Sequence, residues 1–317
     1  MPRTAVALDV GGTKLAAAVI GDDGTMLSRR QIPTPARESA QVLGDAVLRV
    51  VADAVADAGR RPDAAGIGSA GPIDPAGGTV SPVNIPAWRG FPIVDLVERA
   101  LPGRPVRLAG DGHCMALGEY WRAHSASRAL LGMVVSTGVG GGIVLDGEIQ
   151  AGPTGNAGHI GHMVIDPRGP ACPCGGRGCV EMFASGPSML RWAYDQGWCG
   201  SPAGTDTRAL ADCARAGDPI ARAAFDRGAD AIAIAVLCAS ALADLDDVVI
   251  GGGVATGAHD LLFTRIRDEV GRLAGPAFIR RVRIDCSALG GDAGLFGAAA
   301  LALHATGLPF AAPSPAG

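Results

Sequence analysis

Charge is scarce in this 317-residue chain, and what there is has no strong sign. Only 18% of the residues are charged against 48% hydrophobic, which excludes an intrinsically disordered chain and leaves material for two sizeable cores or one large one. The formal net charge is −4 and the Lys and Arg residues are scattered without a basic run, so there is no electrostatic footprint for nucleic acid. Long apolar runs are missing too: Ala229–Leu242 falls short of the ~20 residues a membrane-spanning helix needs. Met1-Pro2-Arg3-Thr4 leads straight into a strand-like segment, with neither the apolar core nor the cleavage site of a secretory leader. Glycine is abundant at 48 residues but not periodic, which excludes a collagen-like chain and predicts many tight turns. A soluble cytoplasmic protein without nucleic-acid or membrane partners is expected.

Cysteine is not lacking, with eight residues. A secreted disulfide framework fits small domains rather than a chain of this length, and three of the eight stand at metal-binding spacing. His159-Ile160-Gly161-His162 precedes Cys172-Pro173-Cys174 and Cys179-Val180-Glu181. His162, Cys172, Cys174 and Cys179 make a complete tetrahedral donor set for Zn²⁺, and such a closed set is structural rather than catalytic. The plain alternative is a coincidence of unpaired thiols. Either way His159 and Glu181 are left unspent beside the loop. Cys114, Cys199, Cys213, Cys238 and Cys286 are isolated and are expected to be inert buried thiols.

The chain opens with Ala5–Val10, the turn Gly11-Gly12-Thr13-Lys14 and Leu15–Ile20, which predict a β-hairpin. Residues 39–58 carry Val42, Leu43, Ala46, Val47, Val50, Val51, Ala54 and Val55 on a 3.6-residue period and predict a helix. Ala65–Gly71 reads as a strand running into a Gly-Pro turn. The opening then recurs as Leu131–Val135, the small-residue turn Ser136–Gly142, and Ile143-Val144-Leu145. A third strand runs into Gly251-Gly252-Gly253 ahead of an amphipathic stretch at 259–273, and 219–243 reads as a helix with Pro219 at its start. This repetition predicts a duplicated α/β architecture with a cleft between its halves. The expected division is an N-terminal lobe at 1–112, with the helix at about 293–306 packing back on it. A larger C-terminal lobe follows at 113–306, with the zinc loop at 158–181, and a flexible tail at 307–317.

Gly11-Gly12-Thr13-Lys14 lacks the spacing of a P-loop, but a hairpin turn of this kind offers backbone N–H groups, the Thr13 hydroxyl and Lys14 to phosphate oxygens. Asp9 would orient a Mg²⁺-bound water; the alternative is a plain Gly turn capped by Asp. Thr137, Gly138 and Gly140 supply a second set of amides, and Gly252 and Gly253 would let the backbone approach a flat ligand. Asp111 follows a strand and precedes a helix beginning near Cys114; held at a helix N-terminus it would favour its ionised form and could accept a proton in phosphoryl transfer. On local sequence alone a structural N-cap is the simpler reading. Asn84 is a loop amide suited to a sugar hydroxyl, or an ordinary turn residue.

These motifs, in this order, resemble the ROK family of sugar kinases and related repressors from about residue 4 to 304. The phosphate motif matches Asp9–Lys14, the sugar loop matches Asn84 with Trp88, and the second glycine turn matches Ser136–Gly142. The family's glycine–histidine motif and C-x-C-G-x-x-G-C-x-E match Gly158–His162 and Cys172–Glu181. The resemblance implies an actin-like (ribonuclease H-like), duplicated, two-lobed kinase fold, ATP with Mg²⁺, a structural Zn²⁺ and a homodimer. It implies that Asp111 deprotonates a sugar 6-hydroxyl, with Asn84, Gly71, Gly110, His159, His162 and Glu181 at the sugar. His162 would serve both metal and sugar. Two departures bear on the substrate: Gly110 stands where many members carry Asn, and His159 where the family's glucokinases carry Glu. N-acetylmannosamine is therefore the expected substrate, with glucose the alternative. A repressor is disfavoured because the first hairpin begins by residue 5, and a non-catalytic sensor because Asp9, Thr13 and Asp111 are all present.

Overall fold

The computed structural model describes residues 2–201 and 204–304, so the tail expected at 307–317 lies outside the described residues. In chain order the first elements are β1 (Thr4–Val10), β2 (Lys14–Gly21), β3 (Met26–Pro33), α1 (Ala40–Ala58) and β4 (Ala64–Ser69). The short strands β5 (Ile73–Asp74) and β6 (Thr79–Val80), α2 (Ile93–Ala100), β7 (Val106–Gly110) and α3 (Asp111–Ala123) follow. Then come β8 (Ala129–Val135), β9 (Val139–Leu145), β10 (Glu148–Ile149), α4 (Glu181–Ala184), α5 (Gly186–Asp195), α6 (Thr207–Arg215) and α7 (Pro219–Ala243). The last are β11 (Asp247–Gly251), α8 (Gly253–Gly257), α9 (His259–Leu273), α10 (Ala277–Arg280), β12 (Arg283–Cys286) and α11 (Ala293–His304).

The two large sheets share one plan. The first has the order β3-β2-β1-β4-β7 and the second β10-β9-β8-β11-β12. In the first, β1 pairs antiparallel with β2 and parallel with β4, and β4 runs parallel to β7. In the second, β8 runs parallel to β11 and β11 to β12. Strand-hairpin-strand followed by parallel crossovers, made twice, is the duplication that the two glycine turns predict.

The chain divides into two compact units. One comprises Met1–Ala126, Gly142–Gly158 and Asp292–Gly317, the other Ser127–Gly141 and His159–Gly291. The break expected after residue 112 thus falls inside α3, which packs on α11. Two glycines allow that approach: a Cβ on Gly297 would collide with the Cys114 carbonyl, and one on Gly118 with the Ala293 carbonyl. α11 also lies on β1 and β4.

The core of the first unit gathers Leu8, Leu15, Leu43, Val47, Ile67 and Trp88 among others, all fully or nearly fully buried. A buried aliphatic side chain of this size contributes about 1.5–3 kcal/mol. α1 turns Leu43, Val47, Val50, Val51 and Ala54 inward, while Val42, expected on that stripe, is exposed. Ser39 Oγ caps α1 by accepting from Val42 N–H at 3.3 Å, and Gly59 ends it in the left-handed region at φ 63°. The helices predicted at 219–243 and 259–273 are α7 and α9 with those bounds. Asp218 caps α7, accepting from the Ile220 and Ala221 N–H groups, and Pro219 takes the first turn. Among the described residues no helix is long and apolar enough to cross a membrane.

Candidate active site

In the first unit the hairpin turn, the end of β1 and the start of α3 converge. Gly11 N–H donates to Lys14 O at 3.0 Å to close the turn, and Lys14 Nζ lies 3.5 Å from Asp9 Oδ2. Burial pushes the Asp9 carboxyl up, and Lys14 only partly offsets it. Asp111 is the first residue of α3 rather than its cap, because Gly110 occupies the cap position. The N-cap alternative therefore falls, as does a helix start near Cys114. Nor does the helix N-terminus dominate the charge: although Asp111 is open to solvent, desolvation by the protein packed around its carboxyl and the neighbouring Asp9 carboxylate push it up to about 6. The Gly112 N–H, 2.7 Å from Oδ1, opposes this only in part.

The same unit holds the expected sugar loop. Asn84 is exposed and lies over the first turn so closely that a Cβ on Gly12 would collide with its amide. Val83 N–H donates to Gly71 O at 3.3 Å, anchoring this loop to the Gly-Pro turn. Trp88 does not join Asn84 at the surface: it is fully buried and stacks on Phe91 with ring centroids 4.2 Å apart. At Gly110 an added Cβ would stand 3.1 Å from His113 Nδ1, so the buried His113 ring occupies space an asparagine would need. Among the five isolated cysteines only Cys114 is buried, its thiol pushed well up by burial and by Asp9 and Asp111; Cys199 and Cys238 are exposed.

The second unit carries the other turn and a cavity. The turn is shorter than predicted, Ser136–Gly138, closed by Ser136 N–H on Gly138 O at 2.9 Å. Gly140 lies within β9 rather than in the turn, since Val139–Gly142 continues the strand. Gly252, at φ 95°, is the residue before α8, and a side chain there would meet the Val135 carbonyl oxygen. Ser136, Thr137 and Gly253 border a cavity of about 580 Å³ whose remaining walls include Thr207, Arg208 and Val254. That volume suits a nucleoside-sized ligand. Arg215 braces the wall: its guanidinium donates to both Asp260 carboxylate oxygens at 2.9 and 2.7 Å and to Gly257 O at 2.7 Å. Sequence reading missed these α6 residues. The helix-start signal was present at Asp206, which caps α6 by accepting from Ala209 N–H at 2.9 Å, but nothing local marks a cavity wall.

His162, Cys172, Cys174 and Cys179 bring one donor atom each within 4.8 Å of the others. Cys174 Sγ and Cys179 Sγ are 3.8 Å apart, and His162 Nδ1 is 3.9 Å from Cys172 Sγ. Two thiolates at about 2.3 Å from a tetrahedral zinc are about 3.8 Å apart, so the donor set fits that ion. Burial and the adjacent thiols push Cys179 up to about 12, a crowding that a divalent cation relieves. The His159 and His162 rings stack with centroids 6.1 Å apart, and burial followed by His162 lowers the His159 imidazole. Glu181 is not unspent: its Oε2 accepts from Val139 N–H at 2.8 Å.

Two sheets of identical order, the Asp9 and Asp111 carboxylates at one hairpin and a nucleoside-sized cavity at the other fit a kinase of the actin-like class. Residues 5–305 match the ROK family model, and the chain belongs to the ROK family. N-acetylmannosamine kinase of Shigella boydii is 38% identical over 302 residues, covering 94% of this chain and 98% of that protein. A ROK hexokinase from Thermus thermophilus shares the fold with a TM-score of 0.82 and 36% identity, over 96% of this chain and 99% of that one. A ROK glucokinase from Streptomyces griseus, solved in complex with glucose and AMPPNP, follows with a TM-score of 0.81 and 33% identity, over 95% and 99%. The protein is an ATP-dependent sugar kinase.

Proposed function

We propose that this kinase transfers the γ-phosphoryl group of ATP to the 6-hydroxyl of N-acetylmannosamine, with Asp111 as the general base. The observation that carries the mechanism is the solvent-open Asp111 carboxyl at the first residue of α3, pushed up to about 6 by desolvation and by the Asp9 carboxylate beside it. A base with that affinity is mostly ionised at neutral pH, yet binds a proton more strongly than an ordinary carboxylate, as deprotonation of a hydroxyl requires. The proton leaves the 6-hydroxyl for a carboxylate oxygen of Asp111 as the hydroxyl oxygen bonds to the γ-phosphorus and ADP departs.

The other roles divide by unit. On the first, Asn84, Gly71 and Gly110 border the sugar, the Gly11-Gly12-Thr13 turn and Lys14 serve phosphate, and Asp9 is suited to a water on the Mg²⁺ that accompanies ATP. On the second, Thr137, Gly138, Gly140, Gly252 and Gly253 serve the nucleotide, and His159, His162 and Glu181 serve sugar hydroxyls. Zn²⁺ held by His162, Cys172, Cys174 and Cys179 supplies a structural pin for the loop that carries them.

Two points favour N-acetylmannosamine: the 38% identity to the Shigella boydii enzyme, and an imidazole at 159 in place of a carboxylate. The second reading, glucose, is favoured by the likeness to the Streptomyces griseus glucokinase. Trp88 supports neither, being buried in the core. A coupled ADP-release assay over N-acetylmannosamine, N-acetylglucosamine, mannose and glucose tests the proposal. The expected kcat/KM is at least about tenfold higher for N-acetylmannosamine, a discrimination within reach of one reshaped pocket contact. Equal or better use of glucose overturns the substrate, and no ADP with any sugar overturns the chemistry.

A further inference from the structure

The segment that follows the last thiol of the Cys cluster grips the second hairpin turn at both ends. Glu181 Oε2 accepts from Val139 N–H at 2.8 Å, and Gly186 N–H donates to Ser136 O at 2.9 Å. Residues 181–186 thus bracket Ser136-Thr137-Gly138. The fit is tight: a Cβ on Gly138 would stand 2.7 Å from Glu181 Oε2, and one on Gly161 would collide with the Val139 carbonyl. Ser136, Thr137, Gly186 and Pro187 all border the 580 Å³ cavity, so turn and clamp share one wall. The turn has no charged side chain of its own. A carboxylate holding a backbone N–H is a charge-assisted bond, and removing the acceptor leaves the donor of a half-closed turn without its partner.

We propose that Glu181 is a positioning residue for the nucleotide, fixing the Ser136–Gly138 turn through the Val139 N–H in addition to any part it takes at the sugar. The proposal rests on the reading of the cavity as the nucleotide site. It assigns Glu181 a job that can be read in the absence of sugar, which a residue serving sugar alone would not have.

The test is calorimetric binding of Mg·AMPPNP to the full-length, zinc-loaded chain without sugar. Glu181→Ala should weaken Kd about tenfold, the size of a lost charge-assisted bond. In Glu181→Gln the side-chain amide oxygen still accepts from Val139 N–H, so Kd should stay within about threefold of wild type. Zinc content and thermal unfolding are measured alongside, and where the alanine variant does not fold, Glu181→Met replaces it with the same expectation. Wild-type affinity in the alanine or methionine variant overturns the proposal, and so does a glutamine variant as weak as alanine, because an acceptor for the Val139 N–H would then not be what fixes the turn. Wild-type protein that binds no Mg·AMPPNP overturns the nucleotide reading itself, a result distinct from either.

Discussion

The two hairpin turns are built on one frame and equipped in opposite ways. Each is a three-residue turn, Gly11–Thr13 and Ser136–Gly138, closed by a backbone hydrogen bond of 3.0 or 2.9 Å. Around the first, charge belongs to the hairpin itself: Asp9 stands one residue from the end of β1, and Lys14 opens β2. At the matching places around the second stand Val134 and Val139, and the carboxylate bonded beside the turn is that of Glu181, beyond the Cys cluster. The duplication therefore reproduced the backbone and divided the chemistry. Mutually repelling carboxylates suited to proton transfer lie on one unit, and a cavity wall whose Asp206, Arg208, Asp212 and Arg215 offset one another in charge lies on the other.

The largest expected break of this comparison is Asp111→Asn, which removes the proton acceptor and leaves the shape. Turnover in the coupled assay should fall about 10²–10⁴-fold. The same variant should be the more stable protein at neutral pH. The folded carboxyl sits at about 6 against an ordinary 3.8, so its contribution to stability is full below about pH 4 and is lost as pH rises through 6. Wild type should then be less stable than the asparagine variant at pH 8, by about 1 kcal/mol after solvent screening of the exposed carboxyl, and similar to it at pH 4 by urea unfolding. Next comes Cys174→Ser on the second unit. About one equivalent of zinc per wild-type chain should be lost by elemental analysis, with sugar KM rising about tenfold or more while Asp111 is untouched. Unchanged sugar KM would cut the metal loop out of the site. The smallest effect is Arg215→Ala. Loss of the ties to Asp260 and Gly257 loosens one cavity wall, so KM for ATP should rise about three- to tenfold with kcat and sugar KM little changed.

What could be read from the sequence follows the range of the interactions. The first hairpin, α1, α7 and α9 are local patterns of apolar period, caps and glycines, and they emerge with their expected bounds or close to them, whereas β9 begins four residues earlier than its glycines suggested. The convergence of His162, Cys172, Cys174 and Cys179 was legible because spacing alone restricts such a cluster. Asp111 could be named from its place after a strand, but its raised proton affinity could not, since that arises from desolvation by the folded chain around it and from Asp9 on a distant strand. The Glu181–Val139 bond and the α6 wall of the cavity are likewise products of tertiary packing, with Arg208 and Arg215 indistinguishable in sequence from solvated helix residues. Burial of Trp88 was hidden for the same reason, because an aromatic beside a loop amide suits a core as well as a sugar.

The most direct measurement is the pH dependence of kcat/KM for the preferred sugar at saturating ATP. That quantity reports groups on the enzyme before the sugar binds. An acid limb centred near pH 6, falling tenfold per unit below it and belonging to Asp111, is the expected result. A rate that stays level down to about pH 4.5 would contradict it, because Asp111 would then be an ordinary carboxylate and not the proton acceptor beside Asp9.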